Sequence, residues 1–213
     1  MIVAFDLDGT LLDSHDLILH AIEFTIRHFN NNQKVSLEEV DFGKSIVELL
    51  GSHVESSKIH AAVSFYREHI MVCDHVDCDV FEGTISTLEF LREVTQSLVV
   101  ITNKQTNVAL HFLRKYSLDK FFDGVFGTDK GRPKPSSDLL HLANPLRISP
   151  FYFVGDQEQD IMASKNYGCA SVLFNPDGKD QKKVTLIKPN YLVNSMPQLQ
   201  RLFQNFLLEG VDL

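Results

Sequence analysis

The chain has 213 residues, 44% of them hydrophobic and 23% charged, which suits a globular protein with one sizeable core and room for an inserted subdomain rather than a disordered chain. Its formal charge of -8, without a clustered patch of Lys and Arg, argues against a nucleic-acid backbone as the main partner. The apolar runs fall far short of the roughly 20 residues that a bilayer requires, no basic segment leads into a long apolar one at the N-terminus, and Cys73, Cys78 and Cys169 form no disulfide framework, so a cytoplasmic protein without a membrane partner is expected.

Residues 1 to 6 read as a buried strand that hands over to DLDGT. Asp6 and Asp8 flank Leu7, so period-two alternation points both carboxylates the same way, and two like charges held together call for a cation. From Asp16 to about Val80 the texture is helical, with Ile18, Ile22, Ile26 and Phe29 on one stripe and Ile59, Val63, Tyr66 and Ile70 on another. No strand is expected to interrupt it, and Asn30, Asn31 and Asn32 read as a loop between helices. At its end, CDHVDC groups Cys73, His75 and Cys78; without a second pair this is incomplete for a four-ligand zinc site and reads as a hinge. The nine histidines show no His-x-x-x-His pair and read as ordinary surface or packed imidazoles.

From about Phe81, helices alternate with the short apolar strands SLVVITN, DGVFGT, FYFVGD, SVLFN and NYLV. Near-continuous apolar strands suit a parallel sheet covered on both faces. The tail from Asn190 reads as a last strand and an amphipathic closing helix whose Leu and Phe stripe belongs to the core. The expectation is an α/β fold, a Rossmann-like parallel sheet built from residues 1–15 and 81–213, with an α-helical insert at 16–80. Ligands of such sheets bind beyond the carboxyl ends of the strands, where Asp6, Asp8, Thr102, Asn103 and Asp156 would converge.

Four stretches in order, DLDGT, ITN, the lysine of RPKPSSDLL, and GDQEQD, resemble the motifs of the haloacid dehalogenase-like hydrolases. The resemblance covers the whole chain, and the early helical insert resembles the small cap of the phosphoglycolate-phosphatase-like branch. It implies a Mg²⁺-dependent phosphatase for a small phosphorylated metabolite. In that reading Asp6 attacks phosphorus and forms an aspartyl-phosphate, and Asp8 serves as acid and then base. Mg²⁺ sits among Asp6, the Asp8 carbonyl and Asp156, with Asp160 as a further ligand or holder of a metal-bound water. Thr102 and the backbone after it bind phosphoryl oxygens, Asn103 either contacts substrate or caps the next helix, and Lys134 supplies fixed positive charge.

Two departures from the pattern stand out. The second proline of Lys-Pro-x-Pro is missing, so Arg132 and Lys130 compete with Lys134 for the phosphate-binding position, and Gln157 stands where Thr or Ser more often follows the first Asp. DFGKSIVELLG resembles the cap loop lowered over the substrate, which makes Lys44 a candidate for meeting an anionic group, with a solvated helix-start lysine as the alternative. The second-motif Asp8 argues against carbon-halogen cleavage and against phosphonatase chemistry. A β-phosphoglucomutase-like mutase and a non-catalytic binding module remain the alternatives, and a monomer is expected, with a dimer left open.

Overall fold

The computed structural model describes residues 1–30, 40, 44–76, 78–176, 178 and 187–208. Its strands are β1 (Ile2–Phe5), β2 (Leu12–Asp13), β3 (Asp79–Val80), β4 (Ser97–Ile101), β5 (Gly124–Phe126), β6 (Phe151–Gly155), β7 (Ala170–Phe174) and β8 (Tyr191–Val193). The helices are α1 (His15–Phe29), α2 (Ile46–Gly51), α3 (Ile59–Val72), α4 (Thr84–Val94), α5 (Thr106–Lys115), α6 (Asp138–Ala143), α7 (Glu158–Tyr167) and α8 (Met196–Leu208). By spatial contact the chain divides into two units, Met1–Leu12 with Val80–Leu213, and Asp13–Asp79.

The larger unit is built on a six-stranded sheet in the order β5-β4-β1-β6-β7-β8, with every neighbouring pair parallel. Its strands are the apolar runs of the sequence, and both faces are covered, as parallel strands of this composition require. Ile2, Ala4, Val99, Ile101, Phe151 and Phe153 point to one face and pack with Leu139 and Leu140 of α6 and Ala163 and Tyr167 of α7. On β6 the intervening Tyr152 meets α8, its ring 5.2 Å from Phe203 and 5.3 Å from Phe206. The apolar stripe of α8, Met196, Leu199, Phe203 and Phe206, is therefore core, and each such ring stabilises the fold by about 1.5–3 kcal/mol through burial.

Pairing places the site. Phe5 is in register with Val100 of β4 and Val154 of β6, so the residues just beyond β1, β4 and β6 emerge together at one sheet edge. The strands run outward from β1 through β4 to β5 on one side and through β6 to β8 on the other, and such a reversal opens a crevice beside the central strand.

In the smaller unit, α1 buries Leu17, Ile18, Ala21, Ile22, Thr25 and Ile26, and α3 buries Ala62, Val63, Tyr66 and Ile70. α3 packs against both α1 and α2. The expected stripes are there except that Phe29 and Ile59, at helix ends, are half-buried. The division also differs slightly from the expected 16–80: the chain passes between units through β2 and β3, two-residue strands paired with each other. Two residues are too few to show an alternation, which is why the sequence did not reveal them. Asn31, Asn32 and the Asp41, Phe42 and Gly43 of the expected cap loop lie outside the described residues. Among the described residues no helix is long and apolar enough to cross a membrane.

Candidate active site

Three carboxylates meet at the sheet edge. Asp6 follows β1, Asp156 follows β6, and Asp160 sits in the first turn of α7; each offers an oxygen within 4.8 Å of the others. The turn after β6 is shaped for this: Asp160 Oδ2 accepts from the backbone N–H of Gln157 (2.9 Å), the N-cap residue of α7. Asp156 is held by the Thr10 hydroxyl, which donates to Oδ1 (3.0 Å), and by the Gln157 side-chain amide, which donates to Oδ2 (2.5 Å). Two glycines make room. A Cβ on Gly9, whose φ is +72°, would collide with the Asp156 carboxylate, and a Cβ on Gly155 would collide with that of Asp160.

One ammonium is buried among them. Lys134 is 5% exposed, with Nζ 2.9 Å from Asp6 Oδ1 and 2.6 Å from Asp160 Oδ1. The second contact is an ion pair without the alignment of a hydrogen bond. The two competing basic residues point elsewhere: Arg132 grips Asp138 through Nε at 2.7 Å, and Lys130 Nζ donates to the Val125 carbonyl at 2.6 Å. Asn103 clamps the Lys134 backbone, accepting from its N–H (2.8 Å) and donating to its carbonyl (3.3 Å). The capping alternative for Asn103 is thereby corrected, because α5 begins at Thr106 and its N-cap is Gln105.

Burial pushes Asp6 up to about 7, against the lowering pull of Lys134 and with Asp160 and Asp8 raising it further. Asp156 rises to about 8, again by burial first and then by Asp160 and Asp6. Burial by itself would lower Lys134, but Asp160 and Asp6 outweigh it and hold the ammonium charged above its ordinary range. Asp6 and Asp156 thus retain protons near neutral pH unless a cation takes their place. Its donors are all hard oxygens, crowded closely enough to repel one another, and so fit a divalent cation such as Mg²⁺.

Asp8 is placed differently from the expectation. β1 ends at Phe5, so strand alternation no longer governs position 8, and its carboxylate lies outside the trio. Lys104 Nζ reaches Asp8 Oδ2 at 2.6 Å, with both side chains mostly enclosed. Sequence reasoning missed Lys104; the available signal was a cation directly after ITN, at the same strand end as the acids. Thr102 is buried, and its hydroxyl accepts from the Lys104 N–H (3.2 Å), which leaves the hydroxyl proton available to donate. Lys44 is exposed, belongs to the smaller unit, and directly precedes Ser45, the N-cap of α2.

A family model described as haloacid dehalogenase-like hydrolase matches residues 3–174. The chain belongs to this family. Among its relatives is pyrophosphatase PpaX of Bacillus mycoides, 27% identical over 205 residues that cover 92% of this chain and 94% of the relative. Two solved structures share the fold. A predicted phosphatase from Clostridium acetobutylicum superposes with a TM-score of 0.82 at 23% identity, covering 96% of this chain and 98% of the other. A predicted phosphoglycolate phosphatase from Haemophilus somnus gives 0.78 at 23% identity, covering 95% and 97%.

Proposed function

We propose that the chain is a Mg²⁺-dependent phosphatase that hydrolyses a small phosphate monoester of the phosphoglycolate kind through an aspartyl-phosphate on Asp6. The observation that carries this is the constellation at the sheet edge: Asp6 in contact with a buried ammonium and within 4.8 Å of two further carboxylates. Phosphate esters resist hydrolysis because an anionic nucleophile must approach an anionic centre, so charge compensation is the first requirement. Lys134 supplies a fixed part of it. Bound by Asp6, Asp156, Asp160 and the Asp8 carbonyl, Mg²⁺ would supply the rest and keep Asp6 ionised.

Asp6 attacks phosphorus, the phosphorus–oxygen bond to the leaving group breaks, and Asp8, which must release its ion pair with Lys104 and carry a proton at this step, gives that oxygen the proton. Asp8 then takes a proton from the water that releases phosphate and restores Asp6. Lys104 holds Asp8 in place between these steps. The Thr102 hydroxyl and the backbone after it donate to the phosphoryl oxygens, and Asn103, which holds the Lys134 backbone, contacts substrate beside them. We assign substrate selection to the helical unit, as an inserted cap with Lys44 as its candidate cation. We assign the reaction to the cytoplasm, a reducing compartment that suits Cys73, Cys78 and Cys169, which stand as thiols rather than disulfides.

Pyrophosphate is the second reading, favoured by the name of the relatives that match over nearly the whole chain. Both substrates share the covalent step. Rapid quenching of a reaction with either substrate, followed by proteolysis and mass spectrometry, should find one phosphoryl group on the peptide containing Asp6. Single-turnover phosphate formation with that peptide unmodified at every quench time would refute the covalent route.

A further inference from the structure

A second group of ligating side chains lies in the helical unit. His20 of α1, Cys73 and His75 each offer a donor atom within 4.8 Å of the others. Their origin explains why the sequence hid them. CDHVDC supplies Cys73 and His75 but no complete set, and the third donor comes from a helix 55 positions away from His75. α1 and α3 pack together, α3 ends at Val72, and Cys73, its C-cap with ψ of 92°, turns the chain so that His75 returns to the helix pair.

We propose that His20, Cys73 and His75 form a binding site for a zinc-class transition cation, separate in donor type from the acidic site. Soft sulfur and imidazole nitrogen prefer zinc and its neighbours, whereas the three aspartates present only hard oxygen. In tetrahedral zinc sites, bonds of roughly 2.0 Å to nitrogen and roughly 2.3 Å to sulfur place two nitrogens roughly 3.3 Å apart and nitrogen and sulfur roughly 3.6 Å apart. Here the two Nε2 atoms of His20 and His75 are 3.3 Å apart, and Cys73 Sγ is 3.8 and 3.9 Å from the ring nitrogens of His75. The nitrogen–nitrogen spacing is that of a ligand shell, whereas Sγ, nearly equidistant from both His75 nitrogens, lies beside that ring, so a turn of the ring is needed to aim one nitrogen at a cation shared with the sulfur. His75 is exposed, so its ring can turn either nitrogen inward, while Cys73 is 3% exposed and anchors the site. His69, one helical turn before Cys73, stacks on His20 at 5.7 Å and encloses an Nε2 without a hydrogen-bond partner, a third imidazole beside the three donors. Binding would displace the Cys73 thiol proton to solvent and leave the fourth position to water or His69.

The test is Co²⁺ titration of the full chain with Mg²⁺ in excess to occupy the carboxylates, followed by optical absorption. One equivalent should produce intense tetrahedral d–d bands and a thiolate-to-cobalt charge-transfer band, and Zn²⁺ should displace it. The charge-transfer band should vanish in Cys73→Ser. His20→Ala and His75→Ala should weaken binding by roughly tenfold or more. Since His75 is exposed, its replacement tests the site without disturbing the core. No charge-transfer band in the folded wild type, a band that survives Cys73→Ser, or affinity unmoved by both histidine replacements would overturn the proposal.

Discussion

Replacing Lys134 with Ala removes the one ammonium among the three clustered carboxylates. At 2.9 and 2.6 Å, and an effective dielectric of about 20, its attraction to Asp6 and to Asp160 is about 6 kcal/mol each before desolvation is counted. Burying the ammonium consumes much of that, and breaking a buried pair by deleting one partner typically costs about 3–5 kcal/mol. For a chain of this length the melting temperature should fall by roughly 10 °C. The cost depends on pH. Without Lys134, whose charge lowers Asp6, that carboxyl is held higher still than in the parent, so the uncompensated charge and the destabilisation grow only as alkaline pH draws its proton and that of Asp156 away. Thermal melts in chelator at about pH 5 and about pH 8 would show this, with exposed Arg132→Ala as a comparison that leaves the melting temperature unchanged. Activity should follow the same order, with Lys134→Ala costing far more rate than Arg132→Ala. A Lys134→Ala melting temperature within about 2 °C of the parent at pH 8 would refute the buried-ion account.

In the parent without divalent cation, Asp6 and Asp156 have folded pKa values of about 7 and about 8 against 3.8 ordinarily, so the folded state binds more protons than the unfolded one between these limits. Stability should therefore decline as pH rises from about 4 through about 8, and Mg²⁺ should raise the melting temperature more at pH 8 than at pH 5; a flat profile in chelator would contradict these shifts. Gly9→Ala should cost roughly 1–3 kcal/mol in backbone strain and weaken Mg²⁺ binding by displacing Asp156, as read by melting and calorimetry, and wild-type values for both would sink the cradle argument. Lys104→Ala leaves the mostly enclosed Asp8 carboxylate unpaired, so stability should fall by about 1–3 kcal/mol, while kcat falls roughly tenfold or more because Asp8 is no longer held. An unchanged kcat would remove Lys104 from the site.

The strands from Ser97 onward were legible because parallel strands buried on both faces leave near-continuous apolar runs, and the acids that end them were legible as polar residues breaking those runs. β2 and β3 were not, being too short for any period. Which basic residue enters the acidic site was also beyond the sequence: Arg132, Lys130 and Lys134 lie within one loop, and only the tertiary clamp of Asn103 on the Lys134 backbone distinguishes them. Asp8 was read from strand alternation, yet the strand stops at Phe5, so its partner Lys104 depended on a turn that no periodicity describes. His20 joins Cys73 and His75 through helix packing, a contact with no local signature.

The central claim is that this acidic edge hydrolyses phosphate esters with Asp6 as nucleophile and a divalent cation bound. Phosphate release from a panel that includes phosphoglycolate and pyrophosphate, with Mg²⁺ and with chelator, tests it most directly when Asp6→Asn serves as the blank. The account predicts release that needs Mg²⁺ and disappears in a folded Asp6→Asn protein. Release of wild-type rate from Asp6→Asn, or release indifferent to chelation, would contradict it.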